Sequence, residues 1–267
     1  MIIASTPSGP VEVPSFVTGF ARGRPVRAVW RNTLGGLTFQ IGADGRRQFV
    51  KWLPAGRGTF TAEAVRLRWA ARHAAVPQVL DEGADDEGSW LVTAGLPGRS
   101  AVDGRWLREP AAAVRAVGEG LRALHEALPA ADCPFDWSAG PRLEAARARA
   151  AAGRTSLADW PEELPRFRTV DRALAALADV PPPDGPVVCH GDACAPNTLV
   201  GEDGRPSGHV DLGTLGVADR WADLAVATWS TVWNYGPGWE RPLLDAYGIA
   251  PDAERTAYYR LLWHLTG

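Results

Sequence analysis

Lysine is almost absent from this chain. Of 28 basic residues, 28 − 1 = 27 are arginine, and Lys51 is the one lysine. A retained ammonium invites a chemical reason, because lysine offers a compact point charge where arginine offers a wide planar fork. Cysteine is scarce too. Cys133, Cys189 and Cys194 show no metal-like spacing, and an odd count argues against a disulfide framework. With no cationic leader and no long apolar run, neither secretion nor membrane spanning is expected, and a cytoplasmic location is. The net charge of −3 gives no basic field for nucleic acid, and no polybasic run suggests a membrane surface. What is present is 267 residues, 46% hydrophobic and 22% charged, enough for one large domain or two lobes with separate cores.

The stretch that organises the rest is Val187-Val188-Cys189-His190-Gly191-Asp192-Ala193-Cys194-Ala195-Pro196-Asn197. Its apolar start reads as a buried strand ending in His-Gly-Asp. Beyond a Gly/Asp/Pro turn, a second short strand ends in His209-Val210-Asp211-Leu212-Gly213. Phosphoryl transfer needs an Asp to accept the proton of an attacking hydroxyl, and an Asn and a second Asp to hold magnesium on nucleotide phosphates. Asp192, Asn197 and Asp211 occur in the order and spacing of the protein-kinase signature. Turn-capping side chains are the alternative, since Asp, Asn and Gly are ordinary turn residues.

This stretch, with Gly208-His209-Val210-Asp211-Leu212-Gly213-Thr214-Leu215-Gly216-Val217-Ala218-Asp219-Arg220, resembles the aminoglycoside phosphotransferases, and most nearly those acting on a 3' hydroxyl. The likeness runs from about residue 60 to 228 and weakens at both ends. It implies an α+β, bilobal, protein-kinase-like fold: a small lobe over 1–95 with an antiparallel sheet and one helix, a hinge at 93–98, and a larger, mainly helical lobe over 96–267. It also implies ATP (or GTP) and Mg2+, Asp192 as catalytic base, Asn197 and Asp211 as magnesium ligands, and an aminoglycoside as partner of a monomer or dimer. The role would be resistance or biosynthesis.

The N-terminal third fits that expectation in outline. Residues 1–20 are rich in Pro, Ser and Gly and read as an arm or a loosely held first strand. Val26–Trp30 and Leu37–Ile41 read as strands around Gly35-Gly36, either a loop over phosphates or a plain hairpin. Arg47–Leu53 reads as a third strand carrying Lys51. In a kinase-like lobe this lysine neutralises the α and β phosphates, and Glu63 is its natural partner. A helix starts near Thr61, read as its N-cap, with Ala62, Val65 and Trp69 on the apolar face. Val79–Ala84 and Ser89–Thr93 read as a hairpin, and the resemblance assigns adenine to the backbone of Thr93 and Gly95.

Further on, Pro110 opens a helix to about Leu128 with an apolar face of Val114, Val117, Leu121, Leu124 and Leu128. His125 there reads as a buried or capping residue. Asp159, Glu162 and Glu163 align with the acidic loop that covers the aminoglycoside in the resembling enzymes, where carboxylates bind ammonium groups strongly. A solvated helix start is the alternative for Glu162 and Glu163. Asp223 reads as the residue that orients the catalytic loop, with His190 structural. The C-terminal acids of the 3' enzymes are replaced here by Trp229–Asn234 and by Trp263-His264. Those tryptophans read either as core or as faces for sugars and cations. A small-alcohol kinase on the same fold, and a catalytically silent nucleotide-binding module, are the competing readings.

Overall fold

Runs of β-branched and aromatic residues near the start of the chain fold as strands, because alternate side chains can be buried on one face. The computed structural model describes residues 7, 9–32, 35–158 and 160–266, in two compact units, Met1–Pro97 and Gly98–Gly267. The first unit contains α1 (Ser15–Ala21), β1 (Val26–Arg31), β2 (Leu37–Ile41), β3 (Gln48–Pro54), α2 (Thr61–Ala70), β4 (Val79–Ala84) and β5 (Gly88–Ala94). Its strands form one antiparallel sheet in the order β1-β2-β3-β5-β4.

One face of that sheet buries Leu37, Phe39, Ile41, Val50 and Val92 against Val17 and Ala21 of α1. The opening segment is therefore not a strand or a loose arm beyond residue 14. Phe16, Val17, Phe20 and Ala21 recur at helical spacing, and Phe16 stacks on Trp90 with ring centroids 3.8 Å apart. Among its described residues the unit thus has two α-helices where one was expected. In α2 the N-cap position is Phe60, without a side-chain cap, so Thr61 lies inside the first turn. Ala64, Leu67, Trp69 and Ala70 are its buried residues, whereas Val65 is 45% exposed, so the packed face is rotated from the one read.

The second unit contains β6 (Arg99–Ser100), α3 (Gly104–Arg108), α4 (Pro110–Ala127), α5 (Ala139–Ala151), α6 (Val170–Ala176), β7 (Pro186–Cys189), β8 (Thr198–Val200), β9 (Pro206–His209), β10 (Gly216–Asp219), α7 (Trp221–Tyr235), α8 (Glu240–Tyr247) and α9 (Ala253–Thr266). Pro110 sits in the first turn of α4, where its missing N–H costs nothing. The five apolar residues read for this helix are all buried. Each is worth about 1.5–3 kcal/mol. Helix α4 packs on α8, and α7 on α9. Two small ladders, β6-β8-β9 and β10-β7, carry the polar stretch. Among the described residues, no helix is long and apolar enough to cross a membrane.

Candidate active site

Strand β7 ends at the buried Cys189, and the chain then turns at His190-Gly191. Gly191 has φ 86°, and a Cβ there would lie 2.4 Å from the Thr214 carbonyl oxygen, so glycine is required twice over. Asp223, in the first turn of α7 and fully buried, holds this turn. Its Oδ2 accepts the His190 N–H at 2.6 Å and its Oδ1 accepts the Gly191 N–H at 2.9 Å. His125 of α4 reaches Asp223 Oδ2 through Nε2 at 3.0 Å, and its Nδ1 lies 2.8 Å from the Tyr247 hydroxyl. Burial alone would raise the Asp223 pKa. The His125 hydrogen bond, the nearby His125 and His190 rings and the Gly191 N–H outweigh it and hold the carboxyl below its ordinary value.

The His190 ring ties the turn to the end of β9. Asp192 N–H lies 3.3 Å from Nδ1, and Nε2 lies 2.9 Å from the Val210 carbonyl, which places the ring proton on Nε2. His209 is buried 3.0 Å from the Gly120 carbonyl, and burial, helped by His190, pushes its pKa down to about 4.

Asp192, Asn197 and Asp211 come together beyond this support. Asn197 Nδ2 donates to the Asp192 backbone carbonyl at 2.9 Å and to its Oδ2 at 3.1 Å. That turns the Asn197 amide oxygen away as the atom available to a cation. Val210 N–H donates to the Asn197 carbonyl at 3.0 Å, so Asp211 follows directly beside it. Asp211 has φ 64°, a left-handed backbone that non-glycine residues seldom adopt and that recurs at functional sites. An amide oxygen and a carboxylate are hard donors of the kind magnesium takes. A different set, His125, Cys189 and Asp223, also has ligand atoms within 4.8 Å of one another. Those atoms are committed elsewhere: Asp223 holds the turn, and the Cys189 thiol donates to the Asp219 carbonyl at 3.3 Å. Burial also raises the Cys189 pKa well above its usual value, which disfavours the thiolate a metal needs.

In the first unit, Lys51 on β3 lies opposite Thr38 and Leu91 and pairs with Glu63 of α2, Nζ to Oε1 at 2.6 Å. The Gly35 and Gly36 N–H groups are engaged within their own turn. The Gly35 N–H donates to the Asn32 carbonyl at 3.2 Å, and the Gly36 N–H donates to Asn32 Oδ1 at 2.7 Å. These two amides close a hairpin and do not stand open to a phosphate. Thr93 is buried in β5 between Phe49 and Val79. Gly95 gives its N–H to the Arg47 carbonyl at 2.9 Å, and a Cβ there would lie 2.5 Å from Arg47 Cγ. The Gly95 N–H is therefore spent on closing the strand end. The next amide, Leu96 N–H, meets no hydrogen-bond partner among the described residues.

Of the acidic residues, Asp159 lies outside the described residues. Glu162 and Glu163 are exposed on a turn, not a helix start, where the Leu164 N–H bonds the Pro161 carbonyl at 3.2 Å. Glu163 lies within electrostatic range of Arg260. The tryptophans divide. Trp229 is buried, Trp233 is 45% exposed, and Trp263 lies against both, with centroids 4.7–6.1 Å apart. His264 packs edge-on to Trp160 at 4.8 Å. Sequence reasoning missed Tyr247, Ser230 and Cys194 as neighbours of the catalytic turn. Tyr247 and Ser230 reach the turn from distant segments, which no local pattern marks, whereas Cys194 stands only two positions from Asp192.

The comparisons with known proteins bear on what such an arrangement serves. The chain belongs to the phosphotransferase enzyme family, whose profile matches residues 31–259. It is 41% identical over 211 residues to an aminoglycoside 3'-phosphotransferase of Streptomyces fradiae, covering 76% of this chain and 78% of that one. A streptomycin 3''-kinase of Streptomyces griseus is 37% identical over 238 residues, covering 84% and 86%. Among solved structures, aminoglycoside phosphotransferase APH(3'')-Id of Streptomyces rimosus, in complex with ADP and streptomycin, superposes with a TM-score of 0.71 at 30% identity, covering 97% and 100%. The fold is thus kinase-like, and the chain is a kinase-type enzyme that uses a nucleotide.

Proposed function

We propose that this enzyme transfers the γ-phosphoryl group of ATP to a hydroxyl of an aminoglycoside, with the 3' hydroxyl as first choice. The observation that carries the reading is the Asp192–Asn197–Asp211 constellation on a turn held by Asp223. Asp192 accepts the proton of the attacking hydroxyl or orients its oxygen. Magnesium, when bound, supplies charge neutralisation on the phosphates, and Asn197 and Asp211 are the residues that would hold it. Lys51, held by Glu63, is assigned to the nucleotide phosphates, which makes the first unit the nucleotide-binding one. Adenine is assigned to the backbone of the 93–98 stretch, with the Leu96 N–H in place of that of Gly95. The rate gain comes from positioning and electrostatics, not from a covalent intermediate.

Glu162 and Glu163, exposed and acidic, suit a polyamine-bearing sugar. A second acceptor, streptomycin at its 3'' hydroxyl, is favoured by the aromatic patch at Trp229, Trp233 and Trp263. The three free thiols accord with a cytosolic setting.

The test is magnesium-dependent ATP consumption against kanamycin-, neomycin- and streptomycin-type compounds. Turnover with the first two supports the 3' assignment, and turnover with streptomycin alone supports 3''. No turnover with any of them sinks the substrate class. Asp192→Asn should abolish turnover and leave ATP binding nearly unchanged.

A further inference from the structure

Two polar residues of α7, Ser230 and Asn234, have no task in the scheme above. They lie one helical turn apart, and Ser230 is fully buried. Ser230 Oγ accepts two N–H groups, the Ala195 backbone at 2.9 Å and Asn234 Nδ2 at 3.1 Å. Asn234 Nδ2 is itself anchored on the Ser230 carbonyl at 2.8 Å. A hydroxyl has two lone pairs and one proton. With both lone pairs taken, the proton is left to donate. The Cys194 thiol in turn lies 3.1 Å from Asp192 Oδ1. Ser230 thus fixes the backbone at Ala195, next to Cys194, and Cys194 donates to Asp192. Burial raises the Cys194 pKa well above its usual value, with Asp192 adding to the effect, so the thiol keeps its proton and remains a donor.

We infer that Cys194, on a turn that Ser230 pins through the adjacent Ala195 N–H, is a positioning residue for phosphoryl transfer: its S–H holds Asp192 Oδ1 while Asn197 holds Oδ2. The inference rests on Asp192 being the base. A carboxylate gripped on both oxygens cannot swing about its last torsion, so its remaining lone pairs keep one direction toward the incoming hydroxyl. Small losses of alignment at the reacting oxygen are costly in rate. A thiol is a weak donor and holds the carboxylate without greatly weakening it as a proton acceptor. Ser230, held by Asn234, thereby gains a purpose in the segment where this sequence departs most from the acidic 3' pattern.

The experiment compares steady-state kinetics of the full-length wild type, Asp192→Asn, Cys194→Ala, Cys194→Ser and Ser230→Ala with ATP, magnesium and the best aminoglycoside. Cys194→Ala should lower kcat about tenfold, the typical worth of one hydrogen bond, with KM for ATP within about twofold. Cys194→Ser restores a donor and should recover most of the rate, and Ser230→Ala should fall between. Thermal melts confirm that the variants are folded. Wild-type kcat in Cys194→Ala overturns the inference, as does a serine variant as slow as the alanine one, which would make the effect one of packing. A fully active Asp192→Asn would instead remove the base assignment beneath it.

Discussion

Asp223 is the residue whose loss the structure predicts most sharply. Its side chain is completely buried and accepts three donors: His190 N–H, Gly191 N–H and His125 Nε2. Asp223→Ala strands all three in a buried site, and each unpaired buried donor costs about 1–3 kcal/mol. The loss should reach about 3 kcal/mol even after relaxation, against a total of about 5–15 kcal/mol for a typical domain. With a denaturant slope of about 3 kcal/mol/M, the urea midpoint should fall by about 1 M or more. Asp223→Asn keeps the volume but turns an N–H2 onto a donor, so it should lose at least half as much. The His190–Gly191 turn sets where Asp192 points, so kcat per folded molecule should fall as well. The folded-state pKa of Asp223 is depressed, so its stabilisation is present above the ordinary carboxyl pKa and disappears as pH falls through the folded value. An Asp223→Asn protein with wild-type stability and activity would refute this reasoning.

Other expectations follow from single contacts. Lys51→Ala removes the ammonium that Glu63 holds at 2.6 Å, and kcat/KM for ATP should drop by about 10- to 100-fold. Lys51→Arg should not restore it, because a planar fork does not replace a point charge; recovery by arginine would count against the phosphate role. His209 stays neutral when folded, with its pKa pushed from 6.5 to about 4. Its contribution, about 3 kcal/mol at most, should be complete above about pH 6.5 and fade as pH falls toward 4, which urea midpoints across that range in wild type and His209→Gln would reveal. Gly191→Ala forces a Cβ to 2.4 Å from the Thr214 carbonyl at φ 86°, and should cost about 2 kcal/mol or more in urea unfolding together with most activity.

How much of this was legible beforehand depended on range. The strands around Lys51, the face of α4 and the trio Asp192, Asn197 and Asp211 follow local rules: alternation, helical spacing, and a fixed distance between catalytic groups. Those rules act over a few residues and survive without knowledge of the fold. The N-terminal helix was misread because its Pro, Ser and Gly neighbours signal loops. What makes Ser15–Ala21 helical is the apolar sheet face that Phe16 and Val17 cover. The end of β5 shows the same limit. Spacing says that a strand ends near residue 94, but not that the Gly95 amide is consumed by Arg47, 48 positions earlier.

The sequence by itself therefore determined which candidate groups for the chemistry are present, because acid, amide and ammonium groups are specified by residue type and short spacing. The tertiary structure decided how those groups are held. Asp223 reaches His190 from 33 positions away and His125 from 98, and Ser230 reaches Ala195 from 35. Such bonds pair buried donors with acceptors, a demand that arises when helices α4 and α7 close over the turn and exclude water. No local pattern encodes that partner list, since it follows from which elements pack together.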